Sequence, residues 1–295
     1  MKKPFATLQK LLLAVVLFFS LSLNKSAHSQ DNSQNGPKTK MMLDSLKEDG
    51  LEEYDPTTET IKHQGVSFSI VKGSTFFFSK MPLVCISSFP CAREIICLTP
   101  SSLLLRKSFD HLKTKLTASS SLPDLLNALA RFIRNDIFSL PLCNELHLNS
   151  FIHQWYREEG RTFQDFARTR SGCWIPMIAL DDFMAAKVGV CRHLSLLSCY
   201  FLDRLLGECV LPKGRCHHVR DMVQTIEGAF GHAWSLLVLE EDRGFWHIDS
   251  MWGIVKNLDD EEDLQFLKMV YGEEVIEREI ARFRWKHYLP VPAES

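Results

Sequence analysis

The sequence is short of the features by which common activities announce themselves. Its 295 residues carry a formal net charge of −2, so there is no cationic excess of the kind that holds nucleic acid or an anionic membrane face. No GxxxxGK(S/T), HExxH or GxSxG segment occurs, which removes the common nucleotide, zinc-protease and serine-hydrolase readings. Internal repeats and low-complexity runs are also missing, which argues against a repeat array. The most apolar stretch, Leu11–Leu23, has 13 residues. As a helix it is about 20 Å long, short of a hydrocarbon core of about 30 Å.

What is present is a globular balance, 45% hydrophobic and 24% charged, in a length that allows one large domain or two small ones. The N-terminus has a distinct order. "MKKPFATLQK" carries three lysines, the apolar stretch follows, and "NKSAHSQDNS" then offers Ala27-His28-Ser29 as a small-x-small cleavage site. That is the order of a secretory signal peptide over residues 1–29. It predicts export, periplasmic or secreted, with no stable membrane span once the signal is removed. A retained N-terminal anchor is the alternative. Export makes the nine cysteines notable: an odd number leaves at least one free thiol or an intermolecular bridge in an oxidising compartment. A protected nucleophile with as many as four disulfides and a mostly reduced chain both satisfy the count.

Residues 30–62 are polar and charged and read as a flexible spacer with a short helix near 41–47. Residues 63–100 read as a small β-rich region, from the runs "VSFSIV", "STFFFS" and "PLVCISSF" separated by Gly73 and Pro82. A catalytic core is expected over 101–258. It opens on amphipathic helices in "SFDHLKTKL" and "SLPDLLNALARFIRNDIF", the second capped by Ser121, and continues with helix through 151–168. "GECVLPKGRCHHVRDM" reads as an irregular loop, and "AWSLLVLE" and "FWHID" as two strands of a hairpin. Residues 259–295 read as a C-terminal helical extension broken at Gly272.

Within "VGVCRHLSLLSCYFLDRLL", Leu194, Leu197, Phe201 and Leu205 recur at spacings of three and four, the stripe of a helix burying one face. Cys191 stands at its start, where unpaired N–H groups and the helix dipole favour a thiolate. A thiol nucleophile needs an imidazole within hydrogen-bond reach and a third group to fix that imidazole. His232 in "GHAWS" and Asp249 in "FWHIDSMW" fall toward the same end of the hairpin, so the expected site is Cys191, His232 and Asp249. The expected fold is α+β, a helix carrying the cysteine packed on an antiparallel sheet carrying the histidine and the aspartate.

These three segments, "GVCRHLSLL", "GHAWS" and "FWHIDSMW", resemble the core of the transglutaminase-like superfamily, relatives of the papain-type thiol enzymes, in a bacterial-type exported member. The resemblance covers about residues 118–255. It implies acyl transfer: Cys191 attacks an amide carbonyl of a protein or peptide, His232 moves the proton, Asp249 orients His232, and the thioester passes to water or to an amine. Peptidase, deamidase and cross-linking outcomes all fit, and a catalytically silent peptide- or glycan-binding domain is the alternative. The Cys191 N–H is the first oxyanion donor expected, with Gln154, Trp155 and Trp174 as side-chain candidates and Trp234 as a cleft residue. No cofactor and no metal are implied. Cys209, Cys216, His217 and His218 fit zinc spacing poorly. Cys199 reads as structural, His193 as a surface or capping residue, and His247 as a weak rival base. Trp234, Trp246 and Trp252 read as core and cleft walls.

Overall fold

The computed structural model describes residues 54–55, 60–63, 66–71, 75–76, 83–86 and 94–284, less residues 100, 117–120, 159, 161, 163–164, 169–173, 226–227 and 241–243. The signal peptide, the anchor that is its alternative, and the helix near 41–47 lie outside these residues. No helix among the described residues is long and apolar enough to cross a membrane.

The fold is mixed α/β, built on two sheets. The first has seven strands, β1 (Tyr54–Asp55), β2 (Thr60–His63), β3 (Val66–Val71), β5 (Leu83–Ile86), β6 (Ile95–Leu98), β8 (Trp174–Ala179) and β7 (Phe166–Arg168), in that spatial order. The second is antiparallel throughout and runs β12 (Ile254–Asn257), β11 (Phe245–Asp249), β10 (Gly228–Leu239), β9 (Gly214–Thr225) and β4 (Thr75–Phe76). Helices α1 (Leu103–Leu116), α2 (Leu122–Arg131) and α3 (Glu145–Arg157) precede β7. The short α4 (Leu180–Ala186) leads into α5 (Cys191–Gly207), and α6 (Glu261–Tyr271) and α7 (Glu273–Arg284) close the described chain.

Local sequence accounts for several boundaries. Ser121 caps α2 by accepting the Asp124 N–H at 3.3 Å, with Pro123 in the first turn where its missing N–H costs nothing. Asn144 does the same for α3 through the His147 N–H at 3.0 Å. Helix α5 buries Leu194, Leu197, Phe201 and Leu205 as its stripe demands. It also buries Ser195, Leu196, Ser198, Cys199, Tyr200 and Leu202, so it is enclosed nearly all round rather than on one face.

Period-two alternation along β10 divides the interior into two cores. Leu237 and Leu239 join the larger core with α1, α2, α3 and α5, while Trp234 and Leu236 join a second with Leu267 and Tyr271 of α6 and Ile276 and Phe283 of α7.

Four readings of the sequence are corrected. The spacer over 30–62 contributes β1 and β2 to the seven-stranded sheet. Residues 63–100 are β-rich as read, carrying β3, β4, β5 and β6, but they do not stand apart: β6 pairs in parallel with β8, Ile95 against Met177, and β4 pairs with β9, Thr75 against His218. Residues 151–168 are not one helix, because α3 ends at Arg157 and Phe166–Arg168 form β7. The irregular loop beginning at Gly207 is mostly strand, as β9 pairs with β10 over its full length.

Candidate active site

The start of α5 is fixed by its neighbours. Val190 is extended (φ −134°, ψ −177°) and its carbonyl accepts the N–H groups of His193 at 2.8 Å and Leu194 at 3.3 Å. The Val190 N–H is in turn donated to His193 Nδ1 at 3.2 Å. His193 therefore caps the helix, and it does so fully buried rather than at the surface. Gly189 permits the close approach: a Cβ there would lie 2.9 Å from the ring of Phe138 and 3.1 Å from His193 Cβ. The N–H groups of Cys191 and Arg192 have no acceptor within the helix, as at any helix start. Arg192 turns inward, its Nε donating to Glu94 Oε1 at 2.7 Å.

His232 lies on β10 and Asp249 ends β11. The register sets Ser235 against Ile248; carried one pair further, it puts Asp249 across from Trp234, diagonal to His232 on the same face. His232 Nε2 lies 2.6 Å from Asp249 Oδ2. The other carboxylate oxygen, Oδ1, accepts the Trp252 N–H at 2.9 Å. Trp252 also stacks on the imidazole, ring centres 4.0 Å apart and 15° from parallel. With Nε2 committed to the carboxylate, Nδ1 is left for the Cys191 thiol, which is the second hydrogen-bond partner of His232.

Charge in this trio is interlocked. Burial alone would raise Asp249, but the His232 charge and the hydrogen bonds of His232, Tyr271 and the Trp252 N–H hold it below the ordinary carboxylate range. Burial would lower His232, yet Asp249 and Cys191 together carry it up to about 10. Burial would raise Cys191, and the charge and hydrogen bond of His232, with Arg192 and Arg220, bring it below an ordinary thiol instead. All three directions favour a thiolate beside an imidazolium.

The remaining candidates are dispersed. Gln154 is exposed on α3, and Trp155 is buried in the larger core against Tyr156 and Phe166. Trp174 begins β8 and is half-exposed. Trp234 is buried in the second core, its indole N–H donated to Glu279 at 3.0 Å, so it cannot serve an oxyanion. His247 lies with it, 3.3 Å from Glu279 through Nδ1. The backbone N–H at the helix start is the oxyanion donor that this position supplies.

Three other described cysteines are held in the thiol form. Cys97, Cys143, Cys199, Cys209 and Cys216 are free thiols like Cys191. Burial pushes Cys97 up to about 12 and Cys143 to about 11, and the neighbouring Cys199 thiol together with burial pushes Cys216 well up. Among the described residues no group of three or more His, Cys, Asp or Glu side chains could hold a metal ion. Strand alternation separates the Cys-His segment: His218 bonds Ser195 of α5 at 2.8 Å, while His217 packs on Phe283 of α7 across the sheet.

Sequence reasoning missed Tyr271, the last residue of α6, whose hydroxyl donates to Asp249 Oδ2 at 2.6 Å. No motif signal marks it. No protein-family model, curated protein or solved structure matches the chain.

Proposed function

We propose that this protein is a transglutaminase-like thiol enzyme that acts on amide bonds of proteins or peptides through Cys191, His232 and Asp249. The carrying observation is that His232 bridges Asp249, at 2.6 Å, and the thiol at the start of a buried helix. In this reading the Cys191 thiolate attacks the amide carbonyl carbon, and the oxyanion meets the N–H groups at the helix start. The tetrahedral adduct collapses with cleavage of the C–N bond, and the His232 imidazolium gives its proton to the departing amine. The thioester is then taken by water or by a second amine, His232 removing the attacking group's proton and the thiolate leaving again. Water gives hydrolysis or deamidation; an amine gives a cross-link. The N-terminal signal order fits an enzyme working in the periplasm or outside the cell.

The test is the pH dependence of iodoacetamide labelling, read by peptide mass spectrometry, with exposed Cys209 as the reference thiol. Cys191 is expected to label fast well below pH 8 and to lose that advantage in His232→Ala. Labelling of Cys191 only near the free-thiol range of about 8.5, unchanged by the substitution, overturns the reading.

A further inference from the structure

Asp249 Oδ2 is shared. It takes His232 Nε2 at 2.6 Å and the Tyr271 hydroxyl at 2.6 Å, while Oδ1 takes a backbone N–H. Two donors on one carboxylate oxygen compete: positive charge brought up by the hydroxyl reduces what the oxygen can give the imidazole. From this shared oxygen we infer that Tyr271 is a positioning residue that limits how tightly Asp249 makes His232 hold its proton. The inference rests on the thiol-enzyme reading for its catalytic meaning. An imidazolium that must protonate a leaving amine works best when its proton is not held too firmly.

The surroundings make Tyr271 a permanent donor. It is fully buried, its ring packed against Trp234, His247 and Trp252 with centres 5.3, 4.5 and 5.0 Å away. Burial, with the carboxylates of Asp249 and Glu279, pushes the phenol well above its ordinary value, so it keeps its hydrogen across the working range. The charged and titratable groups facing this assembly come from every element around it: Cys191 and Arg192 on α5, Arg220 on β9, His232 on β10, His247 and Asp249 on β11, Tyr271 on α6 and Glu279 on α7. Of these, Tyr271 is the one that reaches the His232-bearing oxygen from outside the three-residue set. The segment read from sequence as a C-terminal extension thus supplies part of the site.

The experiment follows His232 directly, by the imidazole ¹⁵N titration of the full chain in a Cys191→Ser background, where no thiol contributes. Tyr271→Phe keeps the ring and removes the competing donor, so the His232 titration is expected to move up by about half a pH unit. Placing 3-fluorotyrosine at position 271 makes a stronger donor and keeps the residue's shape, and is expected to move it down. The second substitution decides the matter should Tyr271→Phe not fold, which thermal unfolding reads. A His232 titration left in place by either folded variant, or moved the opposite way, overturns the inference. Failure of His232→Ala to slow Cys191 labelling, with the Tyr271 shifts intact, would instead remove the enzymatic reading and leave the coupling.

Discussion

Glu94 and Arg192 are an interior ion pair directly behind the candidate nucleophile. Glu94 is fully buried and Arg192 is 6% exposed. Two guanidinium nitrogens, Nε and one Nη, donate to the same oxygen, Oε1, and Glu145 Oε1 stands 3.6 Å from the third nitrogen. The pair joins the seven-stranded sheet to the first turn of α5, one residue after Cys191.

Removing one partner of such a pair strands the other charge where water cannot reach it. Glu94→Ala is therefore expected to cost about 3–5 kcal/mol in urea unfolding, far above the typical core of single-substitution effects. Glu94→Gln, which keeps an acceptor, should cost less. Equal stability of Glu94→Ala and the parent would mean that the pair is open to solvent.

A second expectation concerns acid. Burial and the nearby Arg220 charge pull His218 down to about 3, against 6.5 for an ordinary imidazole. Between those values the unfolded chain binds a proton at this site and the folded chain does not. Stability is therefore lost as pH falls through that window, at up to about 1.4 kcal/mol per pH unit. His232 has the opposite sign: its pKa is raised to about 10, so its contribution is full below 6.5 and is lost as pH rises toward 10. Unfolding free energies of His218→Gln at pH 6 and 4.5 should show a shallower acid slope than the parent. Parallel slopes would remove His218 as the cause.

Gly189 tests how the helix start positions the thiol. An added methyl would press on the Phe138 ring and on His193 Cβ, both fully buried, so neither neighbour has room to yield. Gly189→Ala is expected to cost about 1–3 kcal/mol by overpacking and to slow Cys191 alkylation at pH 6 relative to Cys209. An unchanged ratio of the two labelling rates would show that the helix start tolerates displacement.

The parts legible in the sequence are those whose cause is local. The α5 stripe, the Ser121 cap and the strand β11 follow from residues within a few positions of one another. The meeting of His232 and Asp249 was legible because one hairpin carries both. Strand β9 was not: Cys216, His218 and Arg220 on one side alternate with Arg215, His217 and Val219 on the other, so polar residues on both sides erase the apolar alternation. The pairing of β6 with β8 escapes because about 80 residues of chain separate parallel partners. Tyr271 escapes for a related reason. Its role depends on which way α6 docks, and a tyrosine ending an amphipathic helix is ordinary core material when read alone.

The chain order gives the second core a consequence in time. Trp234 and Leu236 leave the ribosome well before Leu267, Tyr271, Ile276 and Phe283, which are their covering partners. Until those last residues emerge, one face of the β10 strand has nothing to pack on and the Asp249 carboxylate lacks its tyrosine. A chain halted before Leu267 therefore presents the Trp234 and Leu236 face of β10 to water as apolar surface, a target for chaperones and a seed for aggregation.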